Sequence, residues 1–140
     1  MNYIEFKLLP YDEDDVLYLI VSASAVGFSG FVEVYTHHKT LAEFGNKLIN
    51  FPEDINHKVD FEYGDTTGKW AYYLFLQAQV IDHVGHSAIR VRMQSFVGMP
   101  CNSLAEFYVP SEVASINELG RAIKEWVKNP YEPLLWQPKA

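Results

Sequence analysis

The chain has 140 residues, 49% of them hydrophobic and 15% aromatic, and its 11 basic and 18 acidic side chains leave a formal charge of −7. A chain of this size makes one domain with a core that needs neither metal nor disulfide, and its aromatic content excludes disorder. The acidic balance argues against nucleic acid and anionic membranes, which both call for a basic footprint, and steers any protein partner towards a basic one.

In chain order, period-two alternation predicts a strand over Tyr3–Leu9, stopped by Pro10 and the acidic turn Asp12–Asp15. A longer apolar strand runs over Val16–Val26, Gly27-Phe28-Ser29-Gly30 turns the chain, and Phe31–Tyr35 follows. Thr40-Leu41-Ala42-Glu43 has the form of a capping box, and Leu41, Phe44, Leu48 and Ile49 make a helical stripe that Pro52 ends. Four strands come next: His57–Tyr63, Trp70–Ile81, Ser87–Phe96 and Leu104–Val109, joined by glycine-bearing loops typical of antiparallel hairpins. A second helix starts at Ser111 or Ser115, where Ser115-Ile116-Asn117-Glu118 is another capping box, and stops at Asn129-Pro130. Residues 1–129 therefore read as a single α+β domain and 130–140 as a proline-rich C-terminal tail. Leu134, Leu135 and Trp136 make that tail too apolar to be left in water.

The two helices echo each other at an offset of 75 residues: Thr40 falls on Ser115, Gly45 on Gly120 and Leu48 on Ile123. One reading is a shared grammar of strand, loop and capped helix. The other is a duplicated strands-then-helix unit, favoured by the interior glycines. Each costs about 1 kcal/mol against Ala and so asks for a packing reason, such as close approach of helix to sheet.

Few residues suggest chemistry. Asp82-His83-Val84-Gly85-His86 could ligate a metal, but it falls where a hairpin loop is expected and turn chemistry explains it. His37-His38 reads as a solvated loop pair. Cys101 has no local base to make it a nucleophile, and as the only cysteine it fits a reducing compartment. Met1–Glu5 begins like a strand, and no apolar run approaches the ~20 residues of a bilayer crossing. The expectation is a cytoplasmic, non-enzymatic protein with no cofactor, no metal and no membrane partner.

The outward sheet face carries more. Opposite the apolar set, alternation gathers Tyr73, Gln77, Arg90, Arg92, Glu106 and Tyr108, and simple hairpin closure puts Gln77 beside Arg92, Arg92 beside Glu106, and Arg90 beside Tyr108. A solvated face with cross-strand ion pairs explains these residues. So does a binding surface, since interfaces enrich aromatics and Arg.

The Asp-rich start, the strand ending Gly27-Phe28-Ser29-Gly30, the helix with Leu41-Ala42-Glu43-Phe44 and the four-strand meander resemble the WapI-type bacterial immunity proteins over about Asp15–Lys128. Asn56–Tyr63 departs from the Glu-Pro-Asn-Leu stretch associated with many of them. The resemblance implies no catalytic residues, only binding to a toxin domain.

The fold expected is α+β: a single antiparallel sheet of about six or seven strands with two helices packed on one face. The function expected is a protein-binding module, with an immunity role against a basic toxin domain as its sharpest form and no nucleic-acid partner. The alternatives are a self-associating homodimer and a small-molecule binder that uses the polar sheet face.

Overall fold

The computed structural model describes residues 1–11 and 13–140; Asp12, in the acidic turn, lies outside the described residues. Strands β1 (Tyr3–Leu8), β2 (Val16–Ala25) and β3 (Phe28–His37) lead into α1 (His38–Ile49). Strands β4 (Lys58–Tyr63), β5 (Tyr72–Val80), β6 (His86–Ser95) and β7 (Ser103–Glu112) lead into α2 (Val113–Trp126), and β8 (Leu134–Trp136) follows.

These strands do not form the single sheet of six or seven that alternation predicts. They form two antiparallel sheets of four, in the orders β3-β2-β1-β8 and β4-β5-β6-β7. Alternation reports that a strand has one apolar face; it does not report which ladder the strand joins. The break falls where α1 and the connection over residues 50–57 carry the chain away from β3, so that β4 opens a second ladder. The two inner faces then share one core. Leu19, Val21, Val32 and Val34 from the first sheet, and Leu74, Leu76, Ile89 and Val91 from the second, are at most 1% exposed and belong to one cluster.

Both helical stripes are buried as expected, through Leu41, Phe44 and Leu48 on α1 and Ile116, Leu119 and Ile123 on α2. Neither capping box forms. Each helix starts directly from a strand, two residues ahead of the predicted cap, so the N-cap is the last strand residue: His37 for α1 and Glu112 for α2, without a side-chain cap bond in either case. The Ser115 hydroxyl instead accepts the backbone N–H of Lys139 at 3.1 Å.

The interior glycines are explained by helix meeting helix, not helix meeting sheet. A Cβ on Gly45 would lie 2.8 Å from the Gly120 carbonyl oxygen, and one on Gly120 would lie 2.5 Å from the Gly45 oxygen. Only glycine lets the two backbones cross this closely. Asn117 closes the crossing by donating from its amide to the carbonyls of Leu48 (2.9 Å) and Phe51 (2.7 Å), which satisfies orphan acceptors at the end of α1.

The tail is structural. β8 pairs with β1 through Ile4↔Trp136 and Phe6↔Leu134, the Trp136 indole donates to the Ser115 carbonyl at 2.9 Å, and Glu112 N–H donates to the Lys139 carbonyl at 2.6 Å. Between β2 and β3 the turn is the two residues Val26-Gly27, with Ala25 opposite Phe28, rather than the predicted Gly27–Gly30. Among the described residues no helix is long and apolar enough to cross a membrane.

Candidate functional site

The second sheet buries one face and presents the other to solvent. All six residues singled out from the sequence stand on that outer face: Tyr73 and Gln77 on β5, Arg90 and Arg92 on β6, Glu106 and Tyr108 on β7. The β6–β7 register is the expected one, with Arg92 opposite Glu106 and Arg90 opposite Tyr108. The β5–β6 register is displaced by two residues, so that Gln77 faces Arg90 and Phe75 faces Arg92. The Asp82 carboxylate sets the loop behind this shift by accepting the N–H groups of Val84 (2.9 Å) and His86 (3.2 Å). A shift of two keeps every side chain on its face.

Arg90 is held twice. Its guanidinium donates to Glu106 at 2.8 Å and lies 5.7 Å from the centroid of the Phe75 ring. The Glu106 hydrogen bond raises its pKa further above the ordinary guanidinium range. Arg92 makes no ion pair among the described residues. It reaches only the Gln94 carbonyl at 3.4 Å, and its Nε is buried without a partner. Tyr73 is buried, and its hydroxyl donates to Glu62 at 2.6 Å. Burial first, and the Glu62 carboxylate second, push its pKa up to about 12. Gln77 donates to Asp60 at 2.8 Å and accepts from Gln79 at 3.3 Å. Tyr108 is 44% exposed, so its ring is offered to solvent.

Alternation therefore placed the six residues on one face, with Phe75 beside them, as the strands do; Phe75 was not chosen among the six, and Gln94 was not placed. Phe75 lies under Arg90 and opposite Arg92, and Gln94 accepts the 3.4 Å hydrogen bond from Arg92. Their signal was the same alternation, one strand step away from residues that were chosen.

The other motifs resolve as turns and element ends. Asp82–His86 is a hairpin loop in which His86 Nδ1 and Asp82 lie 2.5 Å apart. Among the described residues no group of three or more His, Cys, Asp or Glu side chains is placed to hold a metal. His37 and His38 do not form the predicted loop; one ends β3 and the other opens α1. Cys101 is exposed and free.

No protein-family model matches the chain, and no curated protein matches it by sequence. Solved structures do. The plant transcriptional regulator PBF-2 matches with a TM-score of 0.50 at 12% identity, over 92% of this chain and 74% of that one. WHY1 from Arabidopsis thaliana matches with a TM-score of 0.50 at 13% identity, over 92% of this chain and 81% of that one. At such identities it is the fold that is shared.

This fold corrects the functional expectation. The structures it resembles are a plant transcriptional regulator and WHY1, not immunity proteins, so the expectation of a bacterial immunity module that binds a toxin, without a nucleic-acid partner, is withdrawn. The exclusion of nucleic acid rested on a charge of −7 summed over the chain. A sum does not register that two arginines stand together on one sheet face.

Proposed function

We propose that the outer face of the second sheet binds single-stranded nucleic acid and that the protein is a non-enzymatic binder. The observation that carries this reading is the placement of Arg90 and Arg92. Two residues apart on β6, they project from one face about 7 Å apart, a step that successive phosphates of an extended strand can follow. Tyr108, opposite Arg90 and 44% exposed, supplies a ring for base stacking, and Gln77 and Gln94 supply amides for base edges. Bases within a duplex are stacked on one another and cannot use such a ring, so the face suits unpaired strands. The shared fold of PBF-2 supports the reading. Cys101, free and unpaired, is consistent with a reducing, cytoplasmic setting.

An acidic protein that offers two arginines should bind with a shallow salt dependence. With about two phosphates neutralised, log K should fall against log salt with a slope of about −1.4. The test is fluorescence anisotropy with a labelled 12-nucleotide strand, as DNA and as RNA, and with the corresponding duplex. Single strands should bind more tightly than duplex, and Arg92→Ala should weaken binding about ten-fold, the effect of removing a charged hydrogen-bond donor. Equal binding of duplex, or an Arg92→Ala protein that binds like the native one, would overturn the proposal.

The same structure supports the duplication reading of the sequence. We infer that the two halves share one strands-then-helix plan, because Gly45 and Gly120, which correspond at the 75-residue offset, touch each other at the helix crossing.

A further inference from the structure

Carboxylates stand on both sides of β6 on the outer face of the second sheet, and they are engaged differently. On β4, Asp60 accepts the Gln77 amide at 2.8 Å and Glu62 accepts the Tyr73 hydroxyl at 2.6 Å, so both are met by neutral donors. On β7, Glu106 is met by a charge. It stands directly opposite Arg92 in the register, yet its carboxylate takes the Arg90 guanidinium at 2.8 Å, diagonally across the ladder. Neither member of that pair is buried: 34% of the Arg90 side chain and 40% of the Glu106 side chain remain exposed. Arg92 makes no ion pair among the described residues. The face thus offers one compensated guanidinium and one uncompensated guanidinium, two residues apart on the same strand.

We infer that Glu106 is an internal competitor for Arg90: it holds the place that a phosphate would take, and so makes the face select consecutive phosphates over a single one. The inference rests on the proposed nucleic-acid function and names what regulates that face. A carboxylate and a phosphate oxygen ask the same of a guanidinium, a charge-assisted hydrogen bond, so each excludes the other at a shared N–H. An ion pair this exposed is weak enough to exchange. A lone phosphate gains little at Arg90, because it must displace a carboxylate already in place, and it goes to Arg92 instead. Arg90 lies about 7 Å further along β6. The next phosphate of an extended strand is tethered within reach of it, and the high local concentration that tethering gives lets it displace Glu106 where a free ion does not.

Glu106→Gln keeps the shape of the side chain and removes its charge. Anisotropy with the labelled 12-nucleotide strand, on the full chain, should show this variant binding about four-fold more tightly, the size of a partly exposed ion pair. Loss of any negative charge from the face would do part of this, so the gain has to be tied to Arg90. In an Arg90→Ala background the same substitution should change binding by less than about two-fold. Glu62→Gln, an equal change of charge on the same face, should also stay within about two-fold at ~0.15 M salt, where more distant charges are screened. The arginine Nε–H signals in ¹H–¹⁵N spectra give a second reading. Inorganic phosphate should move the Arg92 signal alone in the native protein, and both arginine signals in Glu106→Gln. A Glu106→Gln protein that binds no more tightly than the native one, or a gain that persists without Arg90, would overturn the competitor while leaving the wider face standing. A native protein that binds no strand at all would remove both.

Discussion

The outer faces of the two sheets are both rich in aromatic rings, yet on one the tyrosines stack on each other and on the other the rings stand beside arginines. On the first sheet Tyr18 and Tyr35 stack with centroids 4.5 Å apart and planes within 4°, and Tyr11 stands edge-on to Tyr35 at 5.3 Å. The Tyr18 hydroxyl donates to Glu33, and that bond is the main reason its pKa is raised. Those rings have each other for partners. On the second sheet Phe75 has an arginine over it, Tyr108 is turned to solvent, and Arg92 keeps a buried nitrogen without an acceptor. Arg92 makes no ion pair among the described residues, so the second face keeps a guanidinium charge uncompensated, whereas the first face has met its polar groups internally. Aromatic content does not mark a binding surface. Unfilled hydrogen-bonding capacity beside rings does.

The comparison breaks most completely where the sheets are joined. In Gly120→Ala the new methyl would meet backbone atoms of Gly45 and Ile49 at 2.5 and 2.8 Å, and backbone cannot swing aside as a side chain can. The helix crossing must open, so the urea midpoint should fall by the equivalent of about 3 kcal/mol. Both faces should be lost together, with oligonucleotide binding disappearing alongside the unfolding transition. A loss below about 1 kcal/mol would show that the crossing tolerates separation.

Trp136→Ala strikes the first sheet and its seam with α2. It removes a nearly buried ring and the indole bond to the Ser115 carbonyl, and should cost about 3–5 kcal/mol. The protein that remains folded at low temperature should still bind single strands, since β8 touches only β1 within the sheets. Binding lost while the fold persists would mean that the two faces are coupled.

Paired substitutions sharpen the contrast. Tyr35→Ala undoes the ring stack and should lower stability by about 1 kcal/mol with binding unchanged. Tyr73→Phe probes the second face through pH. The Tyr73 pKa is raised from 10.0 to about 12, so the folded protein holds that proton more tightly than the unfolded chain. Its contribution to stability is whole below pH 10.0 and is lost as pH rises through about 12. Native protein should therefore lose more stability across that window than Tyr73→Phe does, by urea midpoint at either end of it. Equal losses would show that Tyr73 titrates like a free tyrosine.

Much of this contrast was legible in the sequence, and what was not has specific causes. Alternation gave the strands and placed Arg90, Arg92 and Tyr108 on one face, because a side-chain period of two survives any error in ladder assignment. It could not give the division into two sheets, which depends on where α1 carries the chain. The capping boxes misled because strand runs straight into helix at His37 and Glu112, which leaves Thr40 and Ser115 inside the first turn. The contact of Glu106 with Arg90 was invisible for another reason. Ladder register sets Glu106 opposite Arg92, and only the side-chain geometry carries its carboxylate diagonally to Arg90.

The smallest expected effect lies in the turn that begins β3. Val26 holds φ at +50° and Gly27 at +87°, as a two-residue hairpin turn requires at both positions. For glycine this is free. For a β-branched residue it is an uncommon and strained conformation, because Cβ crowds the backbone, at about 1–2 kcal/mol. Val26 is also 64% exposed, so little packing offsets that strain. Val26→Gly relieves the crowding but gives the unfolded chain more freedom to lose, which offsets part of the gain. Asparagine tolerates the left-handed region without that entropic cost, so Val26→Asn should be the better variant, more stable by about 1 kcal/mol. Thermal melting checks this directly. Since the turn belongs to the first sheet, the gain should leave single-strand binding on the second unchanged. A Val26→Asn protein no more stable than the native one would mean that the valine is held there by contacts its exposure does not reveal.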